Sequence, residues 1–133
     1  MALLPPFSLP GRFWRGNLHT HSNLSDGALE PKAVVDAYKA AGYDFMQLSE
    51  HFIGNFKWPI ADTRAFRSNS FTTLIGAELH APETKVGELW HIVAAGLPLD
   101  FPKNRDGETG AELAARAREA GAFIGSAHPA WSQ

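Results

Sequence analysis

Two stretches of the chain follow one plan. In the first, a helix opening at Pro31 stops at Ala41-Gly42, a short apolar run covers residues 43–49, and Glu50-His51 follows. In the second, a helix opening at Thr109 stops at Ala120-Gly121, an apolar run covers residues 122–127, and His128-Pro129 follows. The residues differ too much for a sequence repeat; what recurs is the architecture. Helices alternating with strands predict an α/β fold with a largely parallel sheet. In such sheets ligands gather beyond the carboxyl ends of the strands, where both histidines are expected.

The local signals are specific. Pro31 suits the first helical position, Val34, Val35, Tyr38 and Ala41 make one buried stripe, and Gly42 is a left-handed stop. Thr109 and Glu112 form a capping box, and Leu113, Ala114, Ala117 and Ala120 form the second stripe. Further strands are expected over residues 13–18, 72–79 and 89–97, about five in all. Residues 52–71 mix Phe52, Phe56, Trp58, Phe66 and Phe71 with Lys57, Arg64 and Arg67, and predict a loop with a short helix over 60–68. The prolines of residues 1–12 predict an extended N-terminal segment, leaving 13–133 as one domain.

Composition removes several classes of function. The 133 residues contain no cysteine, which excludes disulfides, zinc–thiolate sites and thiol nucleophiles. A formal net charge of -2 does not support a broad nucleic-acid surface. The N-terminus lacks a secretion signal and no run is long enough to cross a bilayer, so a cytoplasmic protein without membrane partners is expected.

Chemistry concentrates in six histidines: His19, His21, His51, His80, His91 and His128. His19 and His21 alternate, so on a strand both imidazoles face one side and can grip one cation. Asp26 follows across a turn that can fold back to the same pocket. Glu78 closes a strand, and its two oxygens can bridge two cations. His80 shares the face of Glu78, either touching metal or substrate or forming a pocket wall. Glu50 either orients an imidazole or is a satisfied polar residue. Lys57, Arg64 and Arg67 follow a strand end and either contact substrate phosphate or are solvated.

The run from His19 to Gly27 (His-Thr-His-Ser-Asn-Leu-Ser-Asp-Gly) resembles the first motif of the PHP (polymerase and histidinol phosphatase) superfamily. Ser49-Glu50-His51 resembles its second motif, with Glu where Asp is usual. Gly76-Ala77-Glu78 resembles the strand that supplies the bridging glutamate, Trp90-His91-Ile92-Val93 the following histidine, and Ala127-His128-Pro129 the third motif. The resemblance implies a distorted (β/α)7 TIM-like barrel, present here as its N-terminal part. It implies two or three divalent ions: one on His19, His21 and Glu78, a second on Glu78, His91 and His128, a third on Asp26 and His51. The family's final Asp-x-His has no counterpart in residues 129–133, so the chain reads as part of a longer protein.

Imidazole and carboxylate donors suit zinc, manganese or iron. Two ions about 3.5–4 Å apart lower the pKa of a bridging water, and the leading expectation is hydrolysis of a phosphate ester by that hydroxide. A small-molecule phosphoester is the favoured substrate. The alternatives are an exonuclease-type phosphodiesterase on nucleic-acid ends and a metal-binding module without turnover.

Overall fold

The computed structural model describes residues 10–82 and 87–129. These form β1 (Gly16–Asn17), α1 (Pro31–Ala40), β2 (Phe45–Leu48), β3 (His51–Phe52), β4 (Thr72–Ala81), β5 (Trp90–Ala95), α2 (Gly110–Glu119) and β6 (Phe123–Ser126). The strands lie in the order β1-β2-β4-β5-β6, with β3 also on β4, in a mixed α/β arrangement with a curled sheet. Most of the N-terminal segment expected to be extended falls outside the described residues, as do residues 130–133.

Strands β2 and β3 are one strand with an interruption. Phe45 pairs with Thr72 and His51 with Glu78 in an unbroken register. At the gap the Ser49 N–H donates to the Thr20 carbonyl at 2.8 Å, while the Glu78 N–H donates to the Glu50 carbonyl at 3.0 Å. One strand thereby holds the chain after β1 on one side and β4 on the other. The first strand is shorter than expected. The Asp44 carboxylate takes the Arg15 N–H at 2.7 Å and the Arg12 guanidinium at 3.0 Å, while the Arg15 carbonyl accepts the Asp44 backbone N–H at 2.7 Å, so side-chain bonds take over from the ladder just before Gly16.

Alternation along the strands separates two faces. Ala77, Leu79 and Ala81 of β4, with Ile92 and Ala94 of β5, pack against Leu113 and Ala117 of α2. Met46 and Leu48 of β2 pack against Val34 and Val35 of α1 on the same side. The residues between them, Gln47, Gly76, Glu78, His80, His91 and Val93, face the other side. Both helices thus cover one face and leave polar side chains on the opposite one. Ala41 and Ala120 are exposed, because each helix ends one residue before the end of its apolar stripe. Gly42 and Gly121 close the two helices at φ 76° and 100°, and the Thr109–Glu112 capping box is formed.

Strand β5 departs from the expected parallel sheet: it runs antiparallel to both β4 and β6. The cause is the connection. A parallel crossover needs a dozen or more residues, and too few lie between Ala81 and Trp90. The reversal brings His91, at the start of β5, to the same end of the sheet as His80. The short helix expected over 60–68 is a single 3-10 turn, Arg64–Phe66. A second 3-10 turn, Gly54–Phe56, precedes it, and Lys57 and Trp58 between them have left-handed φ of 64° and 59°. No described helix is long and apolar enough to cross a membrane.

Candidate metal centre

All six histidines converge on one carboxylate. Glu78 lies fully buried on the central strand β4. Its Oε1 is 3.3 Å from His19 Nε2, 3.0 Å from His91 Nδ1 and 3.1 Å from His128 Nε2. Its Oε2 is 3.6 Å from His21 Nε2, 2.8 Å from His51 Nδ1 and 3.7 Å from His80 Nε2. Each histidine arrives by a different local route. His19 and His21 follow β1, His51 is the register partner of Glu78, and His80 lies two residues along the same face. His91 sits directly across from His80, and His128 follows β6 with φ 26°.

The electrostatics follow from this crowding. Burial alone raises the Glu78 carboxyl, but contacts with His19, His51 and His91 outweigh it and hold the group well below the usual carboxylate range. Close contact with that carboxylate raises His51 against the effect of burial. Burial, with His51 beside it, lowers His21. Burial, with His91 beside it, pushes His80 down to about 4. His80 is therefore a neutral imidazole near pH 7, the form that binds metal.

Asp26 folds back as the turn allows. Its Oδ2 is 3.2 Å from His51 Nε2, and its Oδ1 is 3.8 Å from His21 Nδ1. Glu50 points elsewhere. Its buried carboxylate accepts the Ser22 N–H at 3.0 Å, the Ser22 hydroxyl at 2.5 Å and the Ser25 hydroxyl at 2.5 Å. Ser25 Oγ in turn lies 3.5 Å from His21 Nδ1. Glu50 thus touches no imidazole; it grips the loop that carries His21 and Asp26. Ser22 and Ser25 were not foreseen as site residues, because nothing local marks a serine as the partner of a distant buried glutamate. Asn17 is similar: its side-chain oxygen takes the His19 N–H at 3.0 Å, and its amide reaches the Tyr38 hydroxyl on α1.

The three basic candidates separate. Arg64 is bound to Asp62 through Nε at 2.8 Å and Nη2 at 2.7 Å. Arg67 donates to Thr73 Oγ1 at 3.2 Å. Thr73 lies at the start of β4, roughly 15 Å of extended strand before Glu78. Neither arginine is brought to the histidines. Lys57 is exposed, one residue beyond Phe56, whose ring stacks on His51 with centroids 5.9 Å apart.

Among the described residues, three sets of donor atoms lie within 4.8 Å of one another: His19, His21 and Glu78; His21, Asp26 and His51; and His51, Glu78, His80 and His91. Two ligands at about 2.0–2.1 Å from a tetrahedral ion stand about 3.3–3.4 Å apart, and the spacings around Glu78 bracket that value. Glu78 Oε2 is buried with no hydrogen bond, as is His80 Nδ1. A buried ionised carboxylate with an unsatisfied oxygen, ringed by imidazole nitrogens, is chemically suited to divalent cations. The donors are nitrogen and oxygen throughout.

No protein-family model and no curated protein matches the chain. Among solved structures, a two-domain protein from Bacteroides vulgatus containing a predicted PHP-like metal-dependent phosphoesterase superposes with a TM-score of 0.60. The two share 20% sequence identity over 89% of this chain and 36% of that one. The fold is similar to a PHP-like fold. The chain spans little more than a third of that protein's length.

Proposed function

We propose that the chain carries the metal centre of a metal-dependent phosphoesterase, and that its curled sheet is the N-terminal part of a PHP-type distorted β/α barrel. The observation that carries this reading is the convergence of six imidazoles and Asp26 around the buried Glu78 carboxylate. The PHP-like fold supports it. His19, His21, Asp26, His51, Glu78, His91 and His128 would hold two or three ions, with zinc, manganese and iron all suited to the donors. When bound, such ions polarise phosphoryl oxygens and supply a water-derived nucleophile near neutral pH.

The chain's own residues supply placement. Glu78 offers one oxygen to each side of the cluster and so sets the spacing between ions. Asp26, with its side chain about half exposed, lies at the open side of the cluster. The Glu50–Ser22–Ser25 contacts hold the loop of His21 and Asp26 so that their donor atoms do not have to be gathered when an ion arrives. Of the three basic candidates, Lys57, next to the Phe56 ring that stacks on His51, is the one we favour to meet a substrate phosphate. The substrate we favour is a small-molecule phosphoester.

The test is hydrolysis of p-nitrophenyl phosphate and of bis-p-nitrophenyl phosphate with added Mn²⁺ or Zn²⁺, alongside metal content per chain. Metal-dependent turnover that Glu78→Gln abolishes is expected. Metal bound in the wild-type chain, with no turnover of either ester, would sink the proposal and leave a metal-binding module.

A further inference from the structure

We propose that His80 is a metal ligand, and that with His51, Glu78 and His91 it closes a four-donor cation site built on the sheet itself. The inference rests on the metal-centre reading above and deepens it, since the PHP resemblance assigns no ion to His80.

The placement follows from backbone register before any side chain is considered. His51 is paired with Glu78 across β3 and β4, and His80 is paired with His91 across β4 and β5. Glu78 and His80 are two apart on one strand and therefore face one side. Two rungs of three adjacent strands thus deliver three imidazoles and a carboxylate to one point. The side chains complete the arrangement. His80 Nε2 is 2.8 Å from His51 Nδ1 and 3.7 Å from Glu78 Oε2. The His80 ring lies 4.3 Å from that of His91 and 4.8 Å from that of His51.

His80 is held there. It is 6% exposed, and its carbonyl accepts the Asn104 side-chain amide at 2.6 Å. A ligating histidine normally donates its second ring N–H to a carbonyl, carboxylate or water. His80 Nδ1 is buried with no hydrogen-bond partner, and the residue also lines, with Asn104 and Trp58, a pocket of about 410 Å³.

The consequence is a division between sites. Four protein donors fill a tetrahedral shell, which is the mark of a closed, structural ion. His19, His21 and Glu78 supply only three and leave a position for water or substrate. His51 turns Nδ1 to the closed site and Nε2 to Asp26 at 3.2 Å, so Asp26 acts on that site as the carboxylate that orients its histidine.

The experiment is titration of the full chain with Co²⁺ and Zn²⁺, read by metal content, dissociation constant and the visible spectrum of the cobalt form. Tetrahedral cobalt absorbs more strongly than six-coordinate cobalt, so geometry is read directly. His80→Gln is expected to lose the tightest ion, weakening it about tenfold or more, and to lose the tetrahedral band. His91→Gln should do the same. A His80→Gln protein with wild-type stoichiometry and spectrum overturns the inference alone. Wild-type protein that binds no ion overturns the metal-centre reading as well. If His80→Gln does not fold, ¹⁵N shifts of the wild-type histidines decide: His80 Nε2 must shift on adding Zn²⁺, and an unmoved resonance refutes its ligation.

Discussion

The buried carboxylate of Glu50 holds the Ser22 N–H at 3.0 Å, tying the loop between His21 and Asp26 to the end of the strand that carries His51. Glu50→Gln keeps the shape but removes the charge that strengthens three contacts. A loss of ~1.5–3 kcal/mol is expected, read by urea denaturation in chelator. Metal affinity should fall with it, although Glu50 itself touches no donor. Undiminished stability and affinity would show that the loop is positioned by something else.

Gly76 is a second point of dependence. A Cβ there would lie 2.2 Å from the Ala94 carbonyl oxygen and 2.5 Å from Gln47 Oε1. Gln47 crosses above Gly76 to donate to that carbonyl at 3.2 Å, so there is no room for a methyl group. Gly76→Ala is expected to cost ~1–3 kcal/mol, because β4 and β5 must separate. The same movement shifts Glu78 against His91, so the variant should also bind metal more weakly. Equilibrium denaturation together with zinc titration checks both effects.

Metal removal should be visible as stability. An ion that binds only the folded chain stabilises it by about 2.7 kcal/mol at a hundredfold excess over its dissociation constant. Chelator is therefore expected to lower the unfolding temperature of the wild-type chain. In Glu78→Gln, where the bridging oxygen charge is gone, chelator should change it little. Differential scanning fluorimetry with and without Zn²⁺ makes the comparison.

One pH dependence stands apart from the histidines. The Arg116 guanidinium, bonded to Glu108 at 2.8 Å through both Nε and Nη2, holds that carboxyl below its ordinary range. A depressed folded pKa contributes stability above the unfolded value of about 4.3–4.5 and loses it as pH falls through the folded one. Glu108→Gln should therefore be less stable than wild type by ~1–2 kcal/mol at pH 7. The gap should close on acidification below about 4.5. Denaturation midpoints of both proteins across that window test the sign.

What was legible in the sequence was local. Pro31 and Gly42, the Thr109–Glu112 box, and the shared face of Glu78 and His80 each depend on residues within a few positions of one another, and each is found in the fold. The direction of β5 was not read because a periodic apolar run carries no orientation; the length of the connection before it did. The 52–71 segment resisted because its aromatics have no period, and two left-handed residues, Lys57 and Trp58, turn the chain just before the stretch where a helix was expected. For the arginines there, chain position alone left contact with substrate phosphate and a solvated role both open. Asp62 and Thr73, their actual partners, are neighbours that only the fold could rank above a distant site.

Among the described residues the outer strands of the sheet are β1 and β6, and Phe123 on β6 is 72% exposed. His19 and His21 hang from the first flank and His128 from the second, whereas His51, Glu78, His80 and His91 sit on interior strands. Edge strands open more readily than central ones. The cluster therefore has an order of disassembly: its rim is lost while its middle persists, and a chain frayed at both sides still presents four donors to an ion. Assembly run in reverse would begin from that middle, with the interior donors in place before the outer histidines arrive.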